Sequence, residues 1–427
     1  MSMTMSSQLV KRLAQGTGAN LLGKIWVLII QLVSVPVMTA AWGADGFGVW
    51  LMISTIPTYL ALSDFGLGTA AAVDITSAVA RGDKHAALRA YQAVWCFLTA
   101  STVLVAGLCI LGAILWMMRS GSTTIGPFEK ADVFIAICLT IGSAFITLQI
   151  NIQKIVFHAT HKYALGTLLT DTLTFLCSSA VLVVTGLGYG IATAAATFFV
   201  ARTVSLLAYA TVQKQLEPWC TIGWKFADRN KLRQLLNPSL AALSLTVANS
   251  FGLQGVVLTI GWVFGPATAA VFATTRMLTR VPLQLSGLVT RASLPELTRA
   301  QVTDNKALTA RLMKLNILLT LAVMIPAPAV LGLYGPELLN LMSHGEMTGK
   351  HLNFIVLGLS ASICALWTTL GTRLIAVNRQ SEYAYAALAL YTFCAIAPFA
   401  TPENLMPVLV CILVADSLIF LRTLMKN

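Results

Sequence analysis

Charge is scarce in this chain. Only 10% of its 427 residues are charged, against about a quarter in an ordinary soluble domain. Acids are scarcer still, 16 against 28 lysines and arginines. With 57% of residues hydrophobic and a mean hydropathy of +0.79, too few charges remain to clothe a water-facing surface, and a soluble fold is excluded. Histidine and cysteine are also sparse, at five and eight residues. All the cysteines but Cys220 lie in apolar runs, and none forms a CxxC or Cys/His cluster, which excludes a disulfide framework and a zinc site. His158 and His161 have helical spacing but fall beside Lys154 and Lys162, where positive charge disfavours a metal. No Gly-rich phosphate loop is present, so ATP hydrolysis is not expected. Neither a metal nor a cofactor is expected.

What the chain has instead is repeated apolar runs of spanning length. They fall at about 18 to 40, 47 to 71, 90 to 118, 132 to 153, 164 to 186 and 190 to 212, then at about 236 to 264, 267 to 292, 312 to 333, 352 to 376, 383 to 399 and 406 to 422. The predicted fold is all-α and polytopic, with about twelve transmembrane helices. The polar start, Met1 to Gln15, resembles a signal peptide only superficially, because the following run exceeds an h-region; it is read as an uncleaved first span.

The net charge of +12 raises the question of nucleic acid, and the placement of the basic residues answers it. With the N-terminus in the cytoplasm, 21 of the 28 fall in inside segments; Arg119, Lys130 and Lys350 fall outside, and four lie within spans. The positive-inside rule then places both termini in the cytoplasm, and a nucleic-acid partner is not expected. The stretch from Gln213 to Gln234, with Trp219 and Trp224 among its basic residues, reads as an interfacial linker touching anionic lipid headgroups.

A shift of 222 residues superposes Trp42-Gly43 on Phe264-Gly265, Trp50 on Phe272, Asp74 on Glu296 and Arg89 on Arg311. An internal duplication follows: an N-terminal six-helix bundle (1–212), a cytoplasmic linker (213–235) and a C-terminal six-helix bundle (236–427). Six spans return the chain to its starting side, so the halves are parallel pseudo-repeats. The expected plan is two such bundles around a central cleft, which suits a transporter.

The run Trp42-Gly43-Ala44-Asp45-Gly46-Phe47-Gly48-Val49-Trp50, followed by Leu62-Ser63-Asp64-Phe65-Gly66-Leu67-Gly68, resembles the first-hairpin pattern of the Wzx-like polysaccharide and O-antigen flippases. These belong to the multidrug/oligosaccharidyl-lipid/polysaccharide exporter (MOP) superfamily. The Arg that the pattern usually carries before its Leu-Gly is absent here, where the chain reads Ala40-Ala41-Trp42-Gly43. The resemblance implies export of undecaprenyl-pyrophosphate-linked repeat units across a bacterial inner membrane for lipopolysaccharide or exopolysaccharide synthesis. It also implies polymerase and chain-length partners in that pathway.

Ionisable residues inside spans are costly and normally face a bundle interior or a wet cavity. Arg276 and Arg280 lie one turn apart on one helix face with no acid in their own span. They suit a pyrophosphate, whose oxygens accept bidentate bonds from arginine, unless acids on other helices neutralise them. Lys24 and Asp64 lie at similar depth in the first two spans, as a salt bridge or as a substrate lysine with a gating aspartate. Those four are the candidate substrate-binding residues. Asp171 and Arg202, from adjacent spans, read first as a buried bridge. Asp416 has no charged neighbour in the last span; it is either an ion-coupling group for H+ or Na+ or a neutral carboxyl bonded to a neighbouring helix. Pro36, Pro57, Pro282, Pro326 and Pro328 are expected to kink their helices.

The leading expectation is a flippase for a lipid-linked oligosaccharide, not an enzyme, with no catalytic residues. A multidrug exporter of the same superfamily is the first alternative, although acids would have to dominate a site for cationic drugs. A membrane polymerase or ligase is the second, but the outside segments near 119 to 131 and 334 to 350 are short for a catalytic loop.

Overall fold

The computed structural model describes residues 2–426 except 63–66, 120, 122, 161, 228–231, 233–246, 248–249, 303–304 and 377–380. It describes the backbone but not the side chains of 2–14, 16–17, 69–70, 73, 253, 285, 288–296, 298–302, 375–376 and 381. The fold is all-α, as composition requires. Among the described residues, nine helical stretches are long and apolar enough to cross a membrane. Exposed side chains along them are apolar, such as Leu104, Leu108, Leu111 and Leu115 on one helix and Val200, Val204 and Leu207 on another. In water such faces would drive aggregation; in lipid they are the matched surface.

The described chain divides into two compact units, Met1–Ala41 with Ile53–Thr246, and Trp42–Met52 with Val247–Asn427. In the first unit, α1 (Ser2–Ser54) begins as a long helix with Pro36 inside it. It breaks at Gly43, whose φ of 67° and ψ of −179° are non-helical and disfavour a residue with a Cβ. The stretch Gly18–Ala61 holds 44 residues, about 66 Å if straight at ~1.5 Å per residue, twice a hydrocarbon core of about 30 Å. The break at Gly43 lets that stretch serve as parts of two spans.

The second expected span is not one helix. After Ser54 the chain breaks at Thr55, restarts as α2 (Ile56–Ala61) with Pro57 in its first turn, and continues as α3 (Leu67–Ala80). Proline lacks an N–H and is tolerated where the helix has no partner for one. Gly82 (φ 76°) ends this segment, and Asp83 caps α4 (Lys84–Arg119) by accepting from the Ala86 amide at 2.8 Å. A two-residue hairpin, β1 (Thr124–Ile125) against β2 (Phe128–Glu129), leads into α5 (Lys130–Ala159); sequence patterning missed it because two residues carry no periodicity. Helices α6 (Tyr163–Gly186) and α7 (Ile191–Leu216) complete the described first unit. Its core gathers Ile75, Tyr91, Val94, Ile152 and Val156. Residues 228–231 and 233–235 of the expected linker lie outside the described residues.

In the second unit a π-helical turn, Phe251–Gly255, opens α8 (Val256–Phe264). Gly265 (φ 93°, ψ 160°) separates it from α9 (Pro266–Val302). The 222-residue shift maps Gly43 onto Gly265, and the two glycines share a positive φ with an extended ψ. The two turns therefore share a backbone conformation. Residues of the two turns also touch: Asp45 Oδ1 accepts from the Ala267 amide at 3.1 Å, placing a carboxylate at the positive end of α9. Gly48 lies so close to the Pro266 carbonyl that a Cβ would overlap it.

Helices α10 (Lys306–Met324) and α11 (Pro326–Met342) meet at Ile325, where Pro326 interrupts the span. The next turn passes through His344 (φ 54°) and Gly345 (φ 89°) to α12 (His351–Ala376), α13 (Ser381–Ala400) and α14 (Met406–Lys426).

Candidate functional site

Asp416 lies in the middle of α14 and is fully buried. A carboxylate in such a place must be hydrogen-bonded or neutral, and three donors meet it. Tyr391 on α13 donates its hydroxyl to Oδ1 at 2.7 Å. From α12, the Trp367 indole N–H reaches Oδ1 at 3.2 Å and the Ser360 hydroxyl reaches Oδ2 at 2.5 Å. Ser360 and Trp367 are seven residues apart, two helical turns, so α12 presents both on one face, with Cys364 between them.

Arg276 and Arg280 of α9 join this group. Arg280 Nη2 lies 3.8 Å from the Cys364 sulfur. Tyr391, Cys364 and Asp416 are electrostatic neighbours of both guanidiniums. Arg276 is 6% exposed, with its guanidinium carbon 5.7 Å from the centre of the Phe272 ring; Arg280 is partly exposed. The π-helical turn contributes close packing, since a Cβ on Gly252 would strike the Tyr391 ring at 2.7 Å. Four helices thus converge on two cations and one carboxylate.

The arginines have no acid in their own span, but α14 supplies one, the alternative that the sequence left open, so Arg276, Arg280 and Asp416 form one cluster. Asp416, which has no charged neighbour along its own span, has three hydrogen-bond donors and two guanidiniums around it. The expected Asp171–Arg202 bridge does not form: Arg202 Nη1 donates instead to Thr174 Oγ1 at 3.0 Å, and its guanidinium lies 5.1 Å from the Phe198 ring centre. Asp171 turns toward α1, where a Cβ on Gly23 would overlap its carboxylate, and its cationic neighbours are Lys154 and Lys24.

Asp64 lies outside the described residues, as does His161; the acid brought to Lys24 is Asp171. His158 is held against the Tyr163 ring, centroids 4.4 Å apart. Among the described residues no group of three or more His, Cys, Asp or Glu could hold a metal. Sequence reasoning missed Ser360, Cys364, Trp367 and Tyr391. Their available signal was the placement of polar tips in mid-span, with Ser360, Cys364 and Trp367 at helical spacing.

No protein-family model matches the chain, and neither does any curated protein. Solved structures do. The inward-facing conformation of a multidrug resistance MATE family transporter of the MOP superfamily superposes with a TM-score of 0.76 at 15% identity, covering 93% of this chain and 94% of that one. A Vibrio cholerae MATE transporter gives 0.64 at 18%, covering 99% and 98%. A MOP superfamily transporter from Pyrococcus furiosus gives 0.63 at 15%, covering 97% and 95%; its structure is described as showing a reversed binding-pocket polarity that suggests a different function. At such identities the likeness establishes the fold, that of the MATE transporters.

Proposed function

We propose that the chain is a membrane transporter of the MOP superfamily that carries an undecaprenyl-pyrophosphate-linked oligosaccharide from the cytoplasmic to the periplasmic leaflet of a bacterial inner membrane, with both termini cytoplasmic. The observation that carries this reading is the charge of the site: two guanidiniums share one carboxylate, Asp416. With all three ionised the cluster is cationic, and its planar forks match phosphate oxygens. The first-hairpin pattern from Trp42 to Gly68 supports the same cargo. Lys24 and Asp64, in the first unit, are proposed as further substrate contacts. Asp416 serves as counter-ion to the arginines, and H+ or Na+ coupling there requires the carboxylate to exchange its three donors for the ion. Delivery to a polymerase and chain-length partners outside follows from the cargo, and no bond in the cargo is made or broken.

The test measures membrane protein level and cell-surface polysaccharide together in Arg276→Ala and Arg280→Ala. Polysaccharide should fall while protein level holds, and Arg→Lys should rescue only in part. Parallel loss of both quantities, or unchanged polysaccharide, defeats the reading. Reporter fusions after Lys84, Asn305 and Lys426 should report cytoplasm; an outside C-terminus overturns the orientation.

A second reading, a multidrug exporter, is favoured by the fold shared with multidrug transporters. It predicts that deletion sensitises cells to cationic drugs and leaves polysaccharide unchanged.

A further inference from the structure

The first unit holds two cations, Arg202 and Lys154, that neither the arginine site nor the first hairpin accounts for, and it gathers Lys24 with Lys154 around Asp171. Along α6, Asp171 and Thr174 are one turn apart. Lys24 from α1 and Lys154 from α5 are electrostatic neighbours of Asp171, and Arg202 from α7 reaches Thr174 at 3.0 Å. Parallel contacts hold α1 against α6: Asn20 to Tyr163 at 3.3 Å, Trp26 stacked on Phe175 at 4.2 Å, and Val37 beside Gly186. These contacts fix Lys24 at the level of Asp171.

Arg202 is 7% exposed, and its Nε is buried without a hydrogen-bond partner among the described residues. Its own helix turns Val200, Val204 and Leu207 outward, so the guanidinium points into the bundle. Thr174 cannot neutralise it, because the Thr174 hydroxyl accepts from Arg202 while donating to the Thr170 carbonyl at 2.7 Å. A guanidinium buried in a span without a carboxylate is costly. Among the described residues, the Lys154–Asp171–Lys24 group sets two cations against one carboxylate, as the arginine site does.

We infer that the first unit carries a second phosphoryl-binding site, formed by Arg202, Lys154 and Lys24, in which Asp171 is the counter-ion that a bound anion displaces. The ligand class is a phosphate or pyrophosphate group, whether of a lipid-linked sugar or of a membrane phospholipid. In taking the same class of group as Arg276 and Arg280, the inference rests on the transport reading.

The test titrates inorganic pyrophosphate by calorimetry into the full chain in phosphatidylcholine nanodiscs. The wild type should bind at two sites and the Arg276→Ala/Arg280→Ala double variant at one. In that background Arg202→Gln and Lys154→Gln should weaken the remaining site about tenfold or more, and Asp171→Asn should tighten it by removing the competing carboxylate. A merely structural role does not produce that opposite sign. Should Arg202→Gln fail to give monodisperse protein, Lys154→Gln and the nearly isosteric Asp171→Asn carry the test.

Loss of all pyrophosphate binding in the double arginine variant overturns the inference and leaves the arginine site standing. So does an affinity unmoved by Lys154→Gln and Asp171→Asn. Unaltered two-site binding in the double arginine variant, with loss in the first-unit variants, upholds the inference and removes the arginine site. Replacing phosphatidylcholine by phosphatidylglycerol identifies the source: competition with pyrophosphate at this site marks a lipid headgroup, and its absence marks the pyrophosphate of a cargo.

Discussion

Tyr391 donates its hydroxyl to Asp416 at 2.7 Å, joining α13 to α14 inside the second unit. Because the same carboxylate also takes Trp367 and Ser360, the bond belongs to a network in a low-dielectric interior, where an unmade hydrogen bond is expensive. Tyr391→Phe should therefore lower thermal stability in detergent by roughly 1–3 kcal/mol, and Ser360→Ala should do likewise. Unchanged melting of both variants would contradict the network.

Sharing one acid between two arginines predicts an asymmetry. Arg280→Ala leaves Asp416 with Arg276 and three donors, so membrane protein level should hold. Asp416→Ala leaves the buried Arg276 and the partly exposed Arg280 without their carboxylate and should cost about 3–5 kcal/mol, read as a large fall in protein level and melting temperature. Equal tolerance of both changes would show that the carboxylate does not anchor the pair.

The contact between the turns at Gly43 and Gly265 makes Gly48 sensitive to a single methyl group. A Cβ there meets the Pro266 carbonyl, a backbone atom that cannot rotate away, so Gly48→Ala should destabilise by about 1–3 kcal/mol. Asp45→Ala removes the carboxylate that accepts the Ala267 amide and should cost about 0.5–2 kcal/mol. Thermal unfolding checks both, and wild-type melting of Gly48→Ala would refute the close approach.

Glu217 lies just beyond α7, outside the spans, and supplies a pH dependence. Burial opposes its ionisation, but bonds from Lys162 at 2.6 Å and Trp219 at 2.8 Å, with the Thr160 hydroxyl, outweigh it and hold the carboxyl below its ordinary value. A group depressed on folding contributes stability that is present above its unfolded pKa, about 4.3 for Glu, and lost as pH falls through the folded value. Glu217→Gln should therefore melt lower than wild type at pH 7 and lose less on acidification below about pH 4.3. Parallel acid limbs would exclude the contribution.

Local features were legible in the sequence alone. Apolar runs of spanning length located most of the long apolar helices among the described residues, since run length and hydropathy need no knowledge of neighbours. The shift pairing Gly43 with Gly265 located two turns that the backbone then showed to be alike, because glycine admits the positive φ that a residue with a Cβ resists. Depth was legible too: counting residues from a span's end placed Arg276, Arg280 and Asp416 well inside their helices.

Which of those residues meet was decided by tertiary structure. Sequence gives a residue's position along its helix, but its rotation about the axis relative to neighbours, and the choice of neighbours, come from packing. Asp171 and Arg202 share a depth, yet Asp171 faces Lys24 and Lys154 while Arg202 faces Thr174. Asp416 and the arginines lie more than a hundred residues apart, and only the convergence of α9, α12, α13 and α14 makes them one site. Tyr391, Trp367 and Ser360 were invisible for the same reason: a neutral hydroxyl or indole in a span carries no charge to betray it until a carboxylate arrives from another helix.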